Sequence, residues 1–203
     1  MTIWAIVPVK PLRHGKSRLS GVLTEDQRTQ LNRRLLEHTI KTLMQIPEID
    51  SILVISRDPA TLTIARNQGA RTLLEAGAPH LNTALNRATA LAGAHSAQSV
   101  LVLPADLPLL TSRDVSAVIA RGRKPPVVVL APDRRQDGTN ALFINPAGLI
   151  EYGFGPGSFN RHCERAEAAG ASLEIVTRKA LGLDLDLPED LDLLGGLAKL
   201  GIS

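Results

Sequence analysis

Short apolar runs alternate with longer segments of helical period along this chain, and this alternation limits the folds that it can adopt. Runs of strand length occupy residues 4–9, 51–56, 99–103 and 127–132. Between the first two of them, leucine and isoleucine recur at helical spacing over residues 31–43. Strands that alternate with helices are typical of βαβ units, in which neighbouring strands run parallel. The sequence therefore predicts an α/β fold with a mostly parallel sheet.

Capping and stop signals divide the chain further. Thr24 and Gln27 are spaced as a capping box, which predicts a helix that begins there and ends before Pro47. The segment 140–145 alternates enough to predict an edge or antiparallel strand. The remaining predicted helices occupy residues 59–69, 82–94, 111–121 and 158–170, and a further one begins at Pro188; Ser158 is the predicted cap of the helix at 158–170. The remaining predicted strands occupy residues 71–74, 173–176 and 183–187.

Length and composition limit the class of protein. The chain of 203 residues fits one domain, 1–203, because no linker is long enough to divide it. Hydrophobic residues at 44% argue against disorder, and no apolar run approaches the ~18 residues of a membrane-spanning helix. We therefore expect a soluble, cytoplasmic protein without a membrane partner. The single cysteine, Cys163, excludes a disulfide framework and a cysteine-based zinc site.

The charge distribution points to a small anionic ligand rather than to nucleic acid. The formal net charge is +3, but aromatic residues make up only 2% of the chain, and nucleic-acid binders usually combine a basic stripe with aromatic stacking platforms. We therefore expect no nucleic-acid partner. Residues 10–18 form a basic cluster and residues 184–193 an acidic one. A basic and an acidic cluster are what a site for a phosphate and a metal ion requires.

The basic cluster follows the first predicted strand, and ligands of open α/β sheets bind in the loops at the carboxyl ends of strands. Gly15, Lys16 and Ser17 resemble the tail of a Walker A loop, but that motif requires glycine at position 10, where Lys10 stands. We therefore expect a phosphate-binding loop with Lys10, Arg13, Lys16 and Arg18 rather than a P-loop. A solvated basic loop is the alternative interpretation.

Three aspartates are candidates for a metal site. Asp106 follows the apolar run 99–103 and lies between Pro104 and Pro108, which restrict the backbone around it. Asp184 and Asp186 would share one face of a strand, where their charges repel unless a cation offsets them. Mg²⁺ usually takes one or two carboxylates plus substrate phosphates. A turn aspartate and a solvated acidic strand are the alternatives.

Two further segments are suited to anion binding. A polar loop precedes Thr139, and its Asp-Gly pair is also a hairpin signal. Gly155, Pro156 and Gly157 lead into Ser158 at a predicted helix N-terminus, where free N–H groups and the helix dipole can receive an anion. An ordinary capped helix start explains the second pattern equally well.

Together these segments resemble one family, the guanylyltransferases of coenzyme F(420) biosynthesis, which join GMP to 2-phospho-L-lactate, phosphoenolpyruvate or 3-phosphoglycerate. The resemblance extends over nearly the whole chain. It rests on VPVKPLRHGKSRLS, LPADLPLL, PDR with GTNAL, FGPGSFNRH and DLDLPEDL, in that order. It implies a nucleotidyltransferase fold of the GT-A type, a three-layer α/β/α sandwich over a mostly parallel sheet.

The resemblance also implies roles for individual residues. Lys16 and Asp106 would be catalytic, and one or two Mg²⁺ ions would bind the carboxylates at 106, 184 and 186. The acceptor's phosphate and carboxylate, or the nucleotide phosphates, would contact Thr139, Gly155 and Ser158. The remaining nucleotide contacts would come from Lys10, Arg13, Lys16 and Asn82, and the chain has His80 where the family often has glycine before Leu-Asn.

The reaction implied is attack of an acceptor phosphate oxygen on the α-phosphorus of GTP, with release of pyrophosphate. The expected partners are GTP and a three-carbon phosphorylated acid, with phosphoenolpyruvate ranked first, and a homo-oligomer is compatible with the sequence. Two alternatives stay open: a nucleotidyltransferase of the sugar-phosphate or molybdenum-cofactor type, and a non-catalytic nucleotide-binding module. The first usually carries a Gly-rich first loop, which is absent here, and the three aspartates argue against the second.

Overall fold

Seven strands form one mixed sheet in the computed structural model, which describes residues 1–77 and 80–194. Their order across the sheet is β3-β2-β1-β4-β6-β5-β7, and β6 runs antiparallel to both of its neighbours while the other pairs are parallel. The strands are β1 Ile3–Pro8, β2 Ile49–Ser56, β3 Arg71–Leu74, β4 Ser99–Val102, β5 Val127–Pro132, β6 Thr139–Asn145 and β7 Ser172–Ile175. The mostly parallel sheet predicted from the sequence is thus confirmed.

Helices cover both faces of this sheet. They are α1 Glu25–Met44, α2 Pro59–Asn67, α3 Leu81–Ala94, α4 Ser112–Arg121, α5 Ser158–Ala168, α6 Lys179–Gly182 and α7 Pro188–Leu194. Alternate residues of β1 face opposite sides. Ala5 packs in one buried cluster with residues of α1, α2 and α4, whereas Ile6 packs in another with residues of α3 and α5. The result is the predicted three-layer α/β/α arrangement.

Burial on both faces explains why the inner strands read as continuous apolar runs. Every residue of β4, β5 and β6 is buried, whereas the edge strands β3 and β7 are partly exposed. The prediction for 140–145 was right about direction, because β6 is antiparallel, but β6 lies inside the sheet rather than at its edge. The asparagines near its two ends, Asn140 and Asn145, are buried and hydrogen-bonded. Asn145 Nδ2 donates to the Gly122 carbonyl at 2.8 Å.

One predicted strand and one predicted helix cap are wrong. Residues 183–187 form an extended segment outside the sheet, whose N–H at Leu185 donates to the carbonyl of Asp106 at 3.0 Å. The alternation that predicted a strand arises because Leu183 and Leu185 are buried in a leucine cluster. Ser158 is the first residue of α5 rather than its cap; Gly157 is the N-cap, in the left-handed region at φ 69°, and no side chain caps the helix there.

The leucine cluster joins two parts of the chain that are distant in sequence, residues 19–35 and 183–194. It brings the loop after β1 and the start of α1 against the segments around α7, so that the basic and acidic clusters of the sequence lie together. Its members are Leu19, Leu23, Leu31, Leu35, Leu183, Leu185, Leu191 and Leu194. Within the described ranges, no helix is long and apolar enough to cross a membrane.

A methyl group added at Gly122 tests the packing between α4 and β6. The Cβ of Gly122→Ala would overlap the Phe143 ring, so we expect the free energy of unfolding to fall by ~1–3 kcal/mol. The control is Gly21→Ala, whose added methyl meets no atom within 4 Å. Urea denaturation of both variants checks this, and equal effects at the two positions would contradict it.

Candidate active site

One lysine joins three parts of the chain at the carboxyl edge of the sheet. Lys16 follows β1 and Asp106 follows β4, and these strands are parallel neighbours, so both residues emerge on the same edge. The Lys16 Nζ lies 3.0 Å from Asp106 Oδ2 and 2.8 Å from Asp186 Oδ1. The Lys16 side chain is only 7% exposed. The basic loop, the middle of the chain and the acidic segment therefore meet at one buried ammonium group.

The backbone at Lys16 is held in an uncommon conformation. Its φ of 58° and ψ of 36° place a non-glycine residue in the left-handed region, which is found mainly where surrounding contacts impose it. Asn32 of α1 supplies such a contact, because its Nδ2 donates to the Leu12 carbonyl at 2.6 Å. A methyl group on Gly15 would come within 2.5 Å of the same nitrogen. Asn32 thus holds the loop, and its signal in the sequence was a polar residue on the buried face of a helix.

The ion pairs determine the protonation of this group. Burial alone would lower the pKa of Lys16, but the carboxylates of Asp106 and Asp186 outweigh it, and the pKa is raised. Burial would likewise raise the pKa of Asp186, but the Lys16 ammonium outweighs it and the pKa is lowered. Lys16 therefore stays positively charged and Asp186 negatively charged at neutral pH.

Asp184 lies beside this pair, and it forms no ion pair with any residue of the described part of the chain. Asn140 Nδ2 donates to Asp184 Oδ1 at 3.2 Å and to the Leu181 carbonyl at 2.9 Å. Burial, followed by the nearby charge of Asp106, raises the pKa of Asp184, and the bond from Asn140 opposes this shift only in part. An additional cation at this position would favour the ionised form of Asp184.

Asp190 holds the backbone of the acidic segment through hydrogen bonds. Its Oδ2 accepts hydrogen bonds from the backbone N–H groups of Asp186 and Leu187, at 2.9 and 2.7 Å. Its Oδ1 forms an ion pair with Arg134 Nη2 at 2.6 Å. Asp190 therefore orients Asp186 and ties it to the loop between β5 and β6. The sequence reasoning missed this residue because its effect depends on a contact across the fold.

The three aspartates fit a hard cation that is shared with a substrate. Over residues 1–77 and 80–194, no three histidine, cysteine or acidic side chains converge closely enough to enclose a metal ion by themselves. Asp106 Oδ1 is nevertheless buried without a hydrogen-bond partner, and carboxylate oxygens are the donors that Mg²⁺ prefers. One or two carboxylates suffice when substrate phosphates complete the coordination.

Two cavities meet at Asp186. The first, which we call the loop cavity, has a volume of about 540 Å³ and is lined by Lys10, Lys16 and Asp106 at one end, and also by Glu75. The second, the arginine cavity, measures about 470 Å³, and Asp186 lines both. Residues that line the arginine cavity include Arg18, Arg134, Arg135, Asp137, Gly155 and Asp184.

Thr139 and Ser158 line neither cavity; they are buried in a short hydrogen-bonded network. Ser158 Oγ donates to Thr139 Oγ1 at 3.3 Å, and Thr139 Oγ1 lies 3.0 Å from His162 Nδ1. The Gly153 N–H donates to His162 Nε2 at 3.0 Å. Gly155 adjoins this network, since its carbonyl accepts from the Ser158 N–H at 3.1 Å.

Other predicted contact residues have different surroundings. Arg13 is exposed and lines neither cavity. Asn82 also lines neither; its side chain donates to the carbonyl of Phe154 at 3.2 Å and accepts from its N–H at 2.8 Å, which ties α3 to the segment before α5. The N–H groups at the start of α5 are partly occupied, because Asp137 accepts from Gly157 and Phe159.

The buried imidazole of His162 predicts a pH dependence of stability. Burial, followed by the charges of Arg165 and Arg161, lowers its pKa from 6.5 to about 4. The unfolded chain therefore binds a proton that the folded chain does not bind between these values, and stability falls with decreasing pH there, by about 3 kcal/mol in total. We expect His162→Asn to reduce this pH dependence in denaturant titrations, and exposed His95→Asn serves as the control. Equal slopes for wild type and His162→Asn would contradict this.

The chain is similar to known guanylyltransferases over most of its length. The family model described as "Guanylyl transferase CofC like" matches residues 3–196. A phosphoenolpyruvate guanylyltransferase of Rubrobacter xylanophilus is 40% identical over 191 residues, 94% of this chain and 92% of that protein. A 2-phospho-L-lactate guanylyltransferase of Methanocaldococcus infernus is 33% identical, over 92% of this chain and 81% of that protein.

Solved structures agree on the fold. A nucleotidyl transferase from Methanothermobacter superposes with a TM-score of 0.69 at 16% identity, covering 100% of this chain and 99% of that one. CMP:2-keto-3-deoxy-manno-octonic acid synthetase, solved with CTP, gives a TM-score of 0.65 at 14% identity, covering 99% of this chain and all of that one. Because the family model matches nearly its whole length and the Rubrobacter xylanophilus guanylyltransferase is 40% identical to it, the chain belongs to the CofC-like guanylyl transferase family.

Proposed function

We propose that this protein transfers GMP from GTP to a three-carbon phosphorylated acid in coenzyme F(420) biosynthesis, with phosphoenolpyruvate as the first choice of acceptor. The observation that carries the proposal is the junction of the two cavities at Asp186, beside the buried Lys16 ammonium. GTP would occupy the loop cavity and the acceptor the arginine cavity. The reacting phosphates would then meet at that junction.

The arginine cavity suits an acceptor with a phosphate and a carboxylate. Arg18 and Arg135 line it, and neither forms an ion pair with any described residue. Arg134 lines it too, but its guanidinium is held by Asp190. Guanidinium groups bind phosphate and carboxylate through paired hydrogen bonds. The two unpaired arginines are therefore available to such an acceptor.

The reaction requires no protein nucleophile. An acceptor phosphate oxygen would bond to the α-phosphorus of GTP, and the bond from that phosphorus to the β-phosphate oxygen would break, so that pyrophosphate leaves with the electron pair. A general base is dispensable because the second pKa of a phosphate monoester is about 6. The main barrier is the approach of two polyanions. Lys16 lowers it by placing a fixed positive charge, held by Asp106 and Asp186, where the phosphates meet.

We further propose that Asp106, Asp184 and Asp186 hold Mg²⁺, as one or two ions. The support is the set of carboxylate donors, the unpartnered Asp106 Oδ1 and the raised pKa of Asp184, which burial and then the neighbouring carboxylates cause. When bound, the metal ion would neutralise charge on the triphosphate and on the departing pyrophosphate. Asn140 and Asp190 would orient two of the three carboxylates.

Substitution of Asp106 tests the site. Asp106→Asn removes a carboxylate and weakens the hold on Lys16, so we expect kcat for pyrophosphate release to fall roughly 100-fold or more, and the Mg²⁺ requirement to rise. Asp192→Asn is the matched control, because Asp192 is an exposed aspartate of the acidic segment. Near wild-type turnover by Asp106→Asn, with its circular dichroism unchanged, would rule out this role.

A comparison of acceptors tests the substrate. Wild-type protein is incubated with GTP, Mg²⁺ and one of phosphoenolpyruvate, 2-phospho-L-lactate or 3-phosphoglycerate, and pyrophosphate is followed. We expect the highest kcat/KM with phosphoenolpyruvate, and a difference of ~1–3 kcal/mol in transition-state binding corresponds to roughly 10- to 200-fold between acceptors. Equal kcat/KM values would show that the protein does not discriminate among the three acceptors. No turnover with any of them would refute the transfer itself.

A further inference from the structure

One buried histidine lines neither cavity and has no part in the mechanism above. His162 lies in the second turn of α5 and is 0% exposed. Its ring meets the Phe154 ring edge-on, with the centroids 4.9 Å apart. Both ring nitrogens have partners, the Gly153 N–H on one side and the Thr139 hydroxyl on the other. A buried imidazole with two specific partners on opposite sides has a defined orientation.

The backbone partner determines the tautomer of this ring. A backbone N–H can only donate, so Nε2 must accept from Gly153 and cannot carry a proton. In the neutral ring the proton is therefore on Nδ1, which donates to Thr139 Oγ1. Gly153 cannot turn away easily, because Arg161 Nη1 donates to its carbonyl at 2.6 Å and a methyl group in its place would lie 2.7 Å from Arg161 Cδ.

The tautomer in turn leaves one hydroxyl proton free. His162 Nδ1, Thr139 and Ser158 carry one hydrogen-bonding proton each, three in all, but only two hydrogen bonds connect them. Within the described ranges neither hydroxyl donates to any other group. Because Nδ1 is already protonated, the ring cannot accept a hydrogen bond from the third proton. The Thr139–Ser158 pair therefore has a proton to donate outside the network.

We propose that His162 is a positioning residue which, as the Nδ1–H tautomer, makes the Thr139–Ser158 pair a hydrogen-bond donor to the phosphate or carboxylate of the acceptor. The proposal rests on the proposed function, because it takes the acceptor to lie in the arginine cavity. Gly155 links the Thr139–Ser158 pair to the arginine cavity, since it lines that cavity and its carbonyl accepts a hydrogen bond from the Ser158 N–H. An anion accepts but does not donate, so a pair with a free proton is complementary to it.

Two amide substitutions separate the two bonds of His162. His162→Asn keeps a donor near the position of Nδ1, whereas His162→Gln keeps an acceptor near the position of Nε2 but loses the donor to Thr139. Both replace the ring by a shorter amide, so general packing effects are similar. We expect His162→Gln to raise the KM for phosphoenolpyruvate about 10-fold or more, with the KM for GTP nearly unchanged, and His162→Asn to raise it clearly less. Exposed His95→Gln serves as the control.

Equal KM values for phosphoenolpyruvate in wild type and both variants would overturn the proposal, and so would a parallel rise in the KM for GTP. Binding of phosphoenolpyruvate alone, by calorimetry, separates this result from the fate of the proposed function. If wild type binds it without transferring GMP, and His162→Gln binds it at least tenfold more weakly, the transfer fails but the positioning role stands. If wild type neither binds nor transfers, both fail.

A spectroscopic measurement tests the tautomer in the wild-type protein itself. Nitrogen-15 spectra of the histidine rings at neutral pH should include the signals of a neutral ring with Nδ1 protonated and Nε2 not. His162→Asn removes that signal and assigns it. A His162 ring that is neutral and protonated at Nε2, or doubly protonated, would overturn the proposal, because either form would place an N–H against the Gly153 N–H.

Discussion

The ammonium group of Lys16 connects parts of the chain that would otherwise repel or remain apart. It binds Asp106, 90 positions away, and Asp186, 170 positions away. A buried charge is costly unless it is paired, and here the two carboxylates compensate the loss of solvation. The leucine cluster beneath brings the same segments together through apolar contacts, and Asn32 holds the loop that carries the lysine. The site is thus built on the packing of the first loop against the C-terminal segment.

The same arrangement suits the joining of two polyanions. Each cavity reaches the junction at Asp186 with cationic groups of its own, Lys10 and Lys16 in one and Arg18 and Arg135 in the other. Fixed charges in a partly buried site act more strongly than they would in water, and they require no rearrangement when the reactants meet. Next to Gly155, which lines the arginine cavity, the histidine network adds directional hydrogen bonding to this charge.

Much of the fold could be predicted because the inner strands are buried on both faces, so their apolar runs are visible in the sequence. The capping box of Thr24 and Gln27 is likewise a local signal, and the structure confirms it. The alternation of residues 183–187 misled because burial of leucines in a cluster produces the same pattern as a strand. The roles of Asn32 and Asp190 could not be predicted, because each depends on a partner from another part of the fold.

By itself, the sequence determined the alternation of strands and helices, the ends of most helices and the presence of separate basic and acidic clusters, since each depends on residues close together in the chain. Through the resemblance of its motifs it also indicated the family. Only the tertiary structure decided that Lys16 pairs with Asp106 and Asp186, that Asn82 binds backbone rather than lining a cavity, and that His162 is locked in one tautomer. Those outcomes depend on distances between residues remote in sequence, which the packing of the sheet, helices and leucine cluster establishes.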